Sequence, residues 1–145
     1  MLMLYSYFRS SASYRVRIAL ALKGLAYESV PVHLVRGSGE QHSAAFARLN
    51  PAELVPVLVD GSVTLTQSLG IIEYLDEVYP SPALLPLDAP GRARVRAIAQ
   101  TIACEIHPLN NLRVLQRLEA TLGASQKAKS GWYAHWVALG FSVVE

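Results

Sequence analysis

Ser10-Ser11-Ala12-Ser13-Tyr14-Arg15-Val16-Arg17-Ile18-Ala19-Leu20, directly behind the apolar run Leu2 to Tyr7, is the stretch on which the fold turns. The apolar run reads as a buried strand. Tyr14 to Leu22 reads as a helix with Val16, Ala19 and Leu20 on one face. Serines at such a strand-to-helix turn place hydroxyls and free backbone N–H groups at the positive end of a helix dipole. A site of that kind holds an anion or lowers the pKa of a thiol brought to it. A serine there is equally an ordinary N-cap. What adds weight to the chemical reading is the company of Val55-Pro56 and Gln67-Ser68 further along.

Working outward, Lys23-Gly24 ends the helix, glycine being the usual residue just past a C-terminus. Tyr27–Leu34 reads as a second strand in which Pro31 indicates a bulge or an edge position. A Gly/Ser loop, Arg36 to Glu40, leads to a short helix from Ser43 to Leu49 that stops at Asn50-Pro51. Val55–Val59 is a strand, Asp60-Gly61 a hairpin turn, and Val63–Thr66 the return strand. Gln67-Ser68 opens a helix over Leu69–Tyr79 with Ile71, Ile72, Leu75 and Val78 apolar. The order β-α-β-α-β-β-α implies a right-handed parallel β-α-β unit followed by an antiparallel hairpin, an α/β arrangement expected of a thioredoxin-like domain over residues 1–80. Pro80, Pro82, Pro86 and Pro90 mark a linker over 81–91. Beyond it, Ala93–Ile106, Leu109–Leu122 and Gln126–Val144, the last capped by Ser125, read as helices without any strand signal. Residues 92–145 therefore read as an all-α domain.

With 52% hydrophobic and 17% charged residues among 145, the chain buries a core. A net charge of +2 with scattered basic residues excludes nucleic acid as a partner. The single cysteine, Cys104, excludes a disulfide framework, a dithiol redox pair and a Cys-rich zinc site, and fits a reducing compartment. The first residues lack a signal-peptide pattern, and no apolar stretch approaches the roughly 20 residues of a membrane helix. A soluble, cytoplasmic protein is expected.

Three places carry chemistry. A proline opening a central strand cannot donate to the ladder. Pro56 is thus either a trans proline at a strand start or a cis proline, which would let Val55 present its backbone to an extended peptide. Ser68 caps the following helix, and its neighbouring N–H groups with the Gln67 amide could hold a carboxylate. Residues 10–11, 55–56 and 67–68 all lie at ends of strands of one small sheet, so they converge on one crevice suited to a small anionic peptide bearing a thiol. Cys104 reads as core. His33, His42, His107 and His135 are scattered without metal-ligand spacing; His135, beside Trp136, is a surface or packing residue. His107-Pro108 is either a helix break or a kink aimed at a cleft.

Taken together, several motifs resemble the zeta class of the glutathione transferases. They are Leu4-Tyr5-Ser6-Tyr7-Phe8-Arg9-Ser10-Ser11 with Arg15-Val16-Arg17-Ile18-Ala19-Leu20, Leu49-Asn50-Pro51, Val55-Pro56, Gln67-Ser68-Leu69 and Ile71-Ile72-Glu73-Tyr74-Leu75. Ile106-His107-Pro108-Leu109-Asn110-Asn111-Leu112-Arg113 and Trp132-Tyr133-Ala134-His135-Trp136 continue the likeness. The best-known members are maleylacetoacetate isomerases of tyrosine and phenylalanine breakdown. The resemblance implies glutathione as cofactor, a small anionic maleyl substrate and a homodimer formed through the first domain and helix 93–106. It implies that Ser10 hydrogen-bonds the glutathione sulfur, with Ser11 lining the same turn, and that Arg15 draws a substrate carboxylate toward the thiolate. Arg15 and Ser11 would also stabilise the oxyanion formed on addition. Val55, set by Pro56, would pair with the cysteinyl unit; Gln67 and Ser68 would take the γ-glutamyl carboxylate and Gln41 the glycyl end. His107, Asn111 and Arg113 would approach glutathione or the second substrate. The implied reaction is cis–trans isomerisation by thiolate addition, rotation and elimination.

Two departures from the family pattern stand out. Ala12 replaces the usual cysteine of the serine motif, and the helical domain is shorter than in family members, a partial all-α domain that stops at Glu145 inside a helix. Other readings follow from the second: transfer of glutathione to small electrophiles such as α-halo acids, isomerisation of maleylpyruvate, or a glutathione-binding or dimerisation module without turnover.

Overall fold

Along Leu2-Met3-Leu4-Tyr5-Ser6, full burial alternates with half burial, which marks a strand covered on both faces. The computed structural model describes residues 1–145. The chain divides into two units, Met1–Leu84 and Leu85–Glu145.

In the first unit the chain runs β1 (Leu2–Ser6), α1 (Ser11–Leu22), β2 (Tyr27–Pro31), two single 3₁₀ turns (Arg36–Ser38 and Glu40–His42), α2 (Ala44–Leu49), β3 (Val57–Asp60), β4 (Val63–Thr66) and α3 (Ser68–Val78). The sheet order is β2-β1-β3-β4, with β1 and β2 parallel and the other neighbours antiparallel. Successive residues of a strand face opposite sides. Leu2, Leu4 and Leu58 accordingly pack with Val16 and Leu20 of α1 and Ile71 and Leu75 of α3. Tyr5 and Val57 pack instead with Phe46 and Leu49 of α2. The result is a sheet covered by two helices on one face and one on the other, the thioredoxin-like arrangement. Each fully buried aliphatic side chain here contributes about 1.5–3 kcal/mol.

The element boundaries move for identifiable reasons. Helix α1 begins at Ser11 rather than Tyr14, because the Ser10 hydroxyl accepts the Ser13 N–H at 3.1 Å and closes the first turn. Strand β2 stops at Pro31, short of Leu34, on the sheet edge where a missing donor is harmless. Strand β3 begins at Val57, not Val55. Its hairpin turns on Gly61-Ser62, one residue later than expected, with Asp60 opposite Val63 and Gly61 at φ +56°. Helix α3 starts at Ser68 itself, so Ser68 is the first helical residue and Gln67 the capping position.

The exit from this unit is pinned by Lys23, whose side chain is fully buried. Its ammonium donates to Asp76 Oδ1 at 2.7 Å, Tyr79 O at 2.7 Å and Pro82 O at 2.8 Å, using all three hydrogens. Asp76 Oδ1 also accepts the Leu84 N–H at 2.8 Å.

The second unit is helical. Helix α4 (Ala89–Gln100) starts inside the stretch whose prolines suggested a linker, because Asp88 caps it through the Gly91 N–H at 2.7 Å and Pro90 suits a first turn. It runs into a π-helical turn, Thr101–Ile106. The extra residue in that turn rotates the side chains after it. Cys104 is exposed, against the expectation of a core residue, while Ile106 is buried and faces Gly140. Helix α5 (Leu112–Leu122) begins later than the expected Leu109, because the Asn111 side-chain Oδ1 accepts the Arg113 N–H at 3.1 Å and turns fill the segment after Ile106. Gly123, at φ +64°, ends α5, and Ser125 caps α6 (Gln126–Val144) through the Ala128 N–H at 3.2 Å. Trp132 donates to Leu109 O at 2.8 Å, tying α6 to the turn before α5. No helix is long and apolar enough to cross a membrane.

Candidate active site

The strand register gathers the chemistry of the first unit. Tyr5 of β1 pairs with Val57 of β3, and Val57 pairs with Thr66 of β4. The segments that leave the sheet at this level are therefore the turn after β1, which reaches Ser10; Val55-Pro56 before β3; and Gln67-Ser68 after β4. Ser6 at the end of β1 lies opposite Pro31, and Val32 donates to Ser6 O at 2.8 Å, so the loop carrying Gln41 departs from the same end.

Helices α1 and α3 both begin here, and neither has an acidic residue in its first turn. Their positive dipole ends are left without a first-turn carboxylate of their own, which suits an anionic ligand. Ser10 is half-buried, and its hydroxyl still has its proton to donate, since toward Ser13 it is the acceptor. Ser11 is exposed beside it, and Ala12, where the motif usually has cysteine, is buried in the first turn of α1.

The Val55-Pro56 peptide is cis. The ladder of β3 begins at Val57, so the main chain of Val55 lies beyond the paired register. The loop before it is braced by buried Asn50, whose amide donates to Leu54 O at 2.7 Å and whose carbonyl oxygen accepts the Ala52 N–H at 3.1 Å.

Gln67 is held at φ +67°, ψ 114°, a conformation that costs a non-glycine residue about 1–3 kcal/mol and persists where surroundings over-determine it. It is exposed, at the mouth of α3. The adjacent Ser68 is buried, and its Oγ receives Arg15 Nε at 3.2 Å and Arg15 Nη2 at 2.9 Å. The guanidinium thus bridges α1 to the start of α3.

Gln41 is buried, donates from Nε2 to Leu34 O at 3.3 Å and lies 3.0 Å from His42 Nε2. Its Oε1 is buried without a partner. His42 Nδ1 meets Glu53 Oε2 at 2.5 Å; with the Nδ1 proton directed at that carboxylate, Nε2 accepts from Gln41. Neither this His42–Glu53 pair nor the Asn50 brace is visible from composition or spacing. The Asn50-Pro51 dipeptide, a turn signal, is the one hint that the brace leaves in the sequence.

His107, Asn111 and Arg113 belong to the second unit. Asn111 caps α5, half-buried His107 follows the π-helical turn, and Arg113 is exposed in the first turn of α5.

Residues 4–83 match the family model for the N-terminal domain of glutathione S-transferases. The chain belongs to the glutathione S-transferase family. Within that family it groups with the zeta class. A probable maleylacetoacetate isomerase of Vibrio cholerae is 58% identical over 144 residues, 99% of this chain and 67% of that protein. The holo structure of a zeta-class bacterial maleylpyruvate isomerase superposes with a TM-score of 0.93 at 50% identity, covering 97% of this chain and 66% of that one. A maleylacetoacetate isomerase from Methylobacterium extorquens AM1, crystallised with malonate and glutathione, gives a TM-score of 0.93 at 40% identity over 97% of this chain and 65% of its own. The chain spans about two thirds of the length of these relatives.

Proposed function

We propose that this chain is a glutathione-dependent cis–trans isomerase acting on maleylacetoacetate. The observation that carries the reading is the gathering, at one end of one sheet, of two helix N-termini without first-turn acids, the main chain of Val55 beyond the paired register and a half-buried serine hydroxyl with a proton to give. That set suits an extended peptide with a thiol in its middle and a carboxylate at its end. Bound glutathione supplies the thiol whose reversible addition to the cis double bond permits rotation.

The residues act around that thiol. Ser10 donates its hydroxyl proton toward the sulfur and, with the α1 N-terminus, favours the thiolate. Ser11 lines the same turn and offers a donor to charge that develops on the substrate. The main chain of Val55, set by Pro56, pairs with the cysteinyl unit as an added strand would. Gln67 and Ser68 hold the γ-glutamyl carboxylate, and Gln41 serves the glycyl end. His107, Asn111 and Arg113 serve glutathione or the second substrate from the helical unit. A homodimer is formed through the first unit and α4, where Val95 and Ile98 are left part-exposed.

The likeness to a maleylpyruvate isomerase structure favours a second substrate of the same kind, a shorter maleyl ketoacid. Incubating this chain with each maleyl compound, with and without glutathione, tests both. Glutathione-dependent formation of the fumaryl isomer is expected, faster with maleylacetoacetate. Calorimetric binding of glutathione by a folded chain that converts neither compound would refute the enzyme reading and leave a binding module. Sedimentation as a monomer would refute the dimer.

A further inference from the structure

Arg15 donates two N–H groups to a single oxygen, Ser68 Oγ, at 3.2 Å from Nε and 2.9 Å from Nη2. A serine hydroxyl has two lone pairs and one proton. With both lone pairs taken by the guanidinium, all it has left to offer is that proton. Ser68 is 5% exposed and sits in the first turn of α3, among N–H groups that point the same way. We infer that Arg15 is a positioning residue: it fixes Ser68 as an obligate hydrogen-bond donor and so sets the site at the start of α3 for a carboxylate, acting through Ser68 and without touching the maleyl substrate.

The chemistry of the three groups supports this. A hydroxyl free to rotate could accept from an ammonium or amide as readily as it donates to an acid. The guanidinium, charged at every accessible pH, removes that choice and brings a positive charge one group behind the oxygen. A hydrogen bond to a charged acceptor is worth more than a neutral one, and a donor that needs no reorientation loses less on binding. An α-carboxylate at the end of an extended peptide is what this arrangement selects. The same residue could instead meet a substrate carboxylate directly, as the sequence motif suggests. The distances on Ser68 favour the indirect role.

The inference rests on the proposal that glutathione binds here by its γ-glutamyl end. Its test is calorimetric titration of the full chain with glutathione and with cysteinylglycine, which lacks the γ-glutamyl group. Arg15→Met and Ser68→Ala are each expected to weaken glutathione about 10- to 100-fold. The double variant should be no weaker than the poorer single, because both act through one oxygen. Cysteinylglycine should bind all four proteins alike. Activity lost in Arg15→Met should return as glutathione is raised toward saturation, a change in the KM for glutathione rather than in the KM for the maleyl compound. Arg15→Lys, which keeps the charge but cannot present the two-pronged donor, should fall between and serves if Arg15→Met does not fold. An unchanged glutathione Kd with a raised KM for the maleyl compound would overturn the inference, as would additive losses in the double variant. Failure of the unaltered chain to bind glutathione would instead refute the functional reading beneath it.

Discussion

Replacing Ser10 separates two jobs that one oxygen performs. Its lone pair caps α1 by accepting the Ser13 N–H at 3.1 Å, and its proton is the proposed donor to the glutathione sulfur. Ser13 has no exposed surface, so Ser10→Ala strands an N–H in a poorly hydrated place. The expected loss of stability is about 1–2 kcal/mol, the upper part of the range for N-cap serines. Ser10→Gly lets water reach the same N–H and should cost only a few tenths of a kcal/mol. The effect on the sulfur is different, because neither variant has a hydroxyl. A hydrogen bond to a charged group is worth about 1.5–3 kcal/mol, which corresponds to a rise of about one to two units in the pKa of the bound thiol. Urea denaturation of the full chain measures the first quantity, and titration of the thiolate absorbance of bound glutathione measures the second. The two variants should part in stability and coincide in thiol pKa. A thiol pKa unchanged in both, with glutathione still bound, would refute the role given to the Ser10 hydroxyl.

Three further outcomes follow from the packing. Lys23→Met leaves the Asp76 carboxylate and the Tyr79 and Pro82 carbonyls without their shared donor; urea denaturation should show a loss of about 3–5 kcal/mol, much of it recovered when Asp76→Leu is added. A methyl group at Gly140 would overlap the Ile106 side chain, so Gly140→Ala should destabilise by about 1–3 kcal/mol, and an equally stable variant would disprove that close approach. Tyr74 and Tyr79 both donate to Asp60 Oδ2, at 3.1 and 3.3 Å, and partial desolvation followed by the Asp60 carboxylate raises both phenol pKa values above 10.0. The folded state then holds these protons more tightly than the unfolded chain. Their contribution is complete below pH 10 and is lost as pH rises through the folded values. Melting curves at increasing alkaline pH should fall less steeply for the Tyr74→Phe, Tyr79→Phe double variant than for the unaltered chain.

What the sequence disclosed, and what it withheld, follows the reach of the interactions involved. The pairing of β1 with β3 joins residues more than fifty positions apart. The chain order of strands and helices, the helix faces and the caps or stops at Ser10, Asn50-Pro51 and Ser125 are instead set by residues within a few positions of one another, and local pattern exposes them. The π-helical turn is not of that kind. It breaks the 3.6-residue repeat with nothing in Thr101–Ile106 to announce the extra residue, and Cys104, placed in the core because free cysteine is commonly buried, is exposed within it. Helix α4 was obscured for the opposite reason: prolines that break a helix in its interior are welcome in its first turn, so the same residues signal a linker and a start.

The site divides along the same line. That residues 10–11, 55–56 and 67–68 stand at strand ends is legible, because strand order alone sends them there. That Arg15 reaches Ser68, 53 residues away, is not, since a basic residue one turn into α1 fits a substrate contact equally well by spacing. Nor does any local rule foresee Gln67 at φ +67°, where a glycine would sit without strain. A sequence built for stability alone would put glycine at that position. Glutamine there, next to a serine whose lone pairs an arginine fills, has the composition of a place arranged for a ligand's carboxylate. Among the non-glycine residues held at positive φ, Ser38, Glu53 and Gln67, it is thus Gln67, next to buried Ser68, whose conflict with local preference falls on a residue assigned to binding, whereas Ser10 keeps its local preference as an N-cap and is assigned a ligand as well.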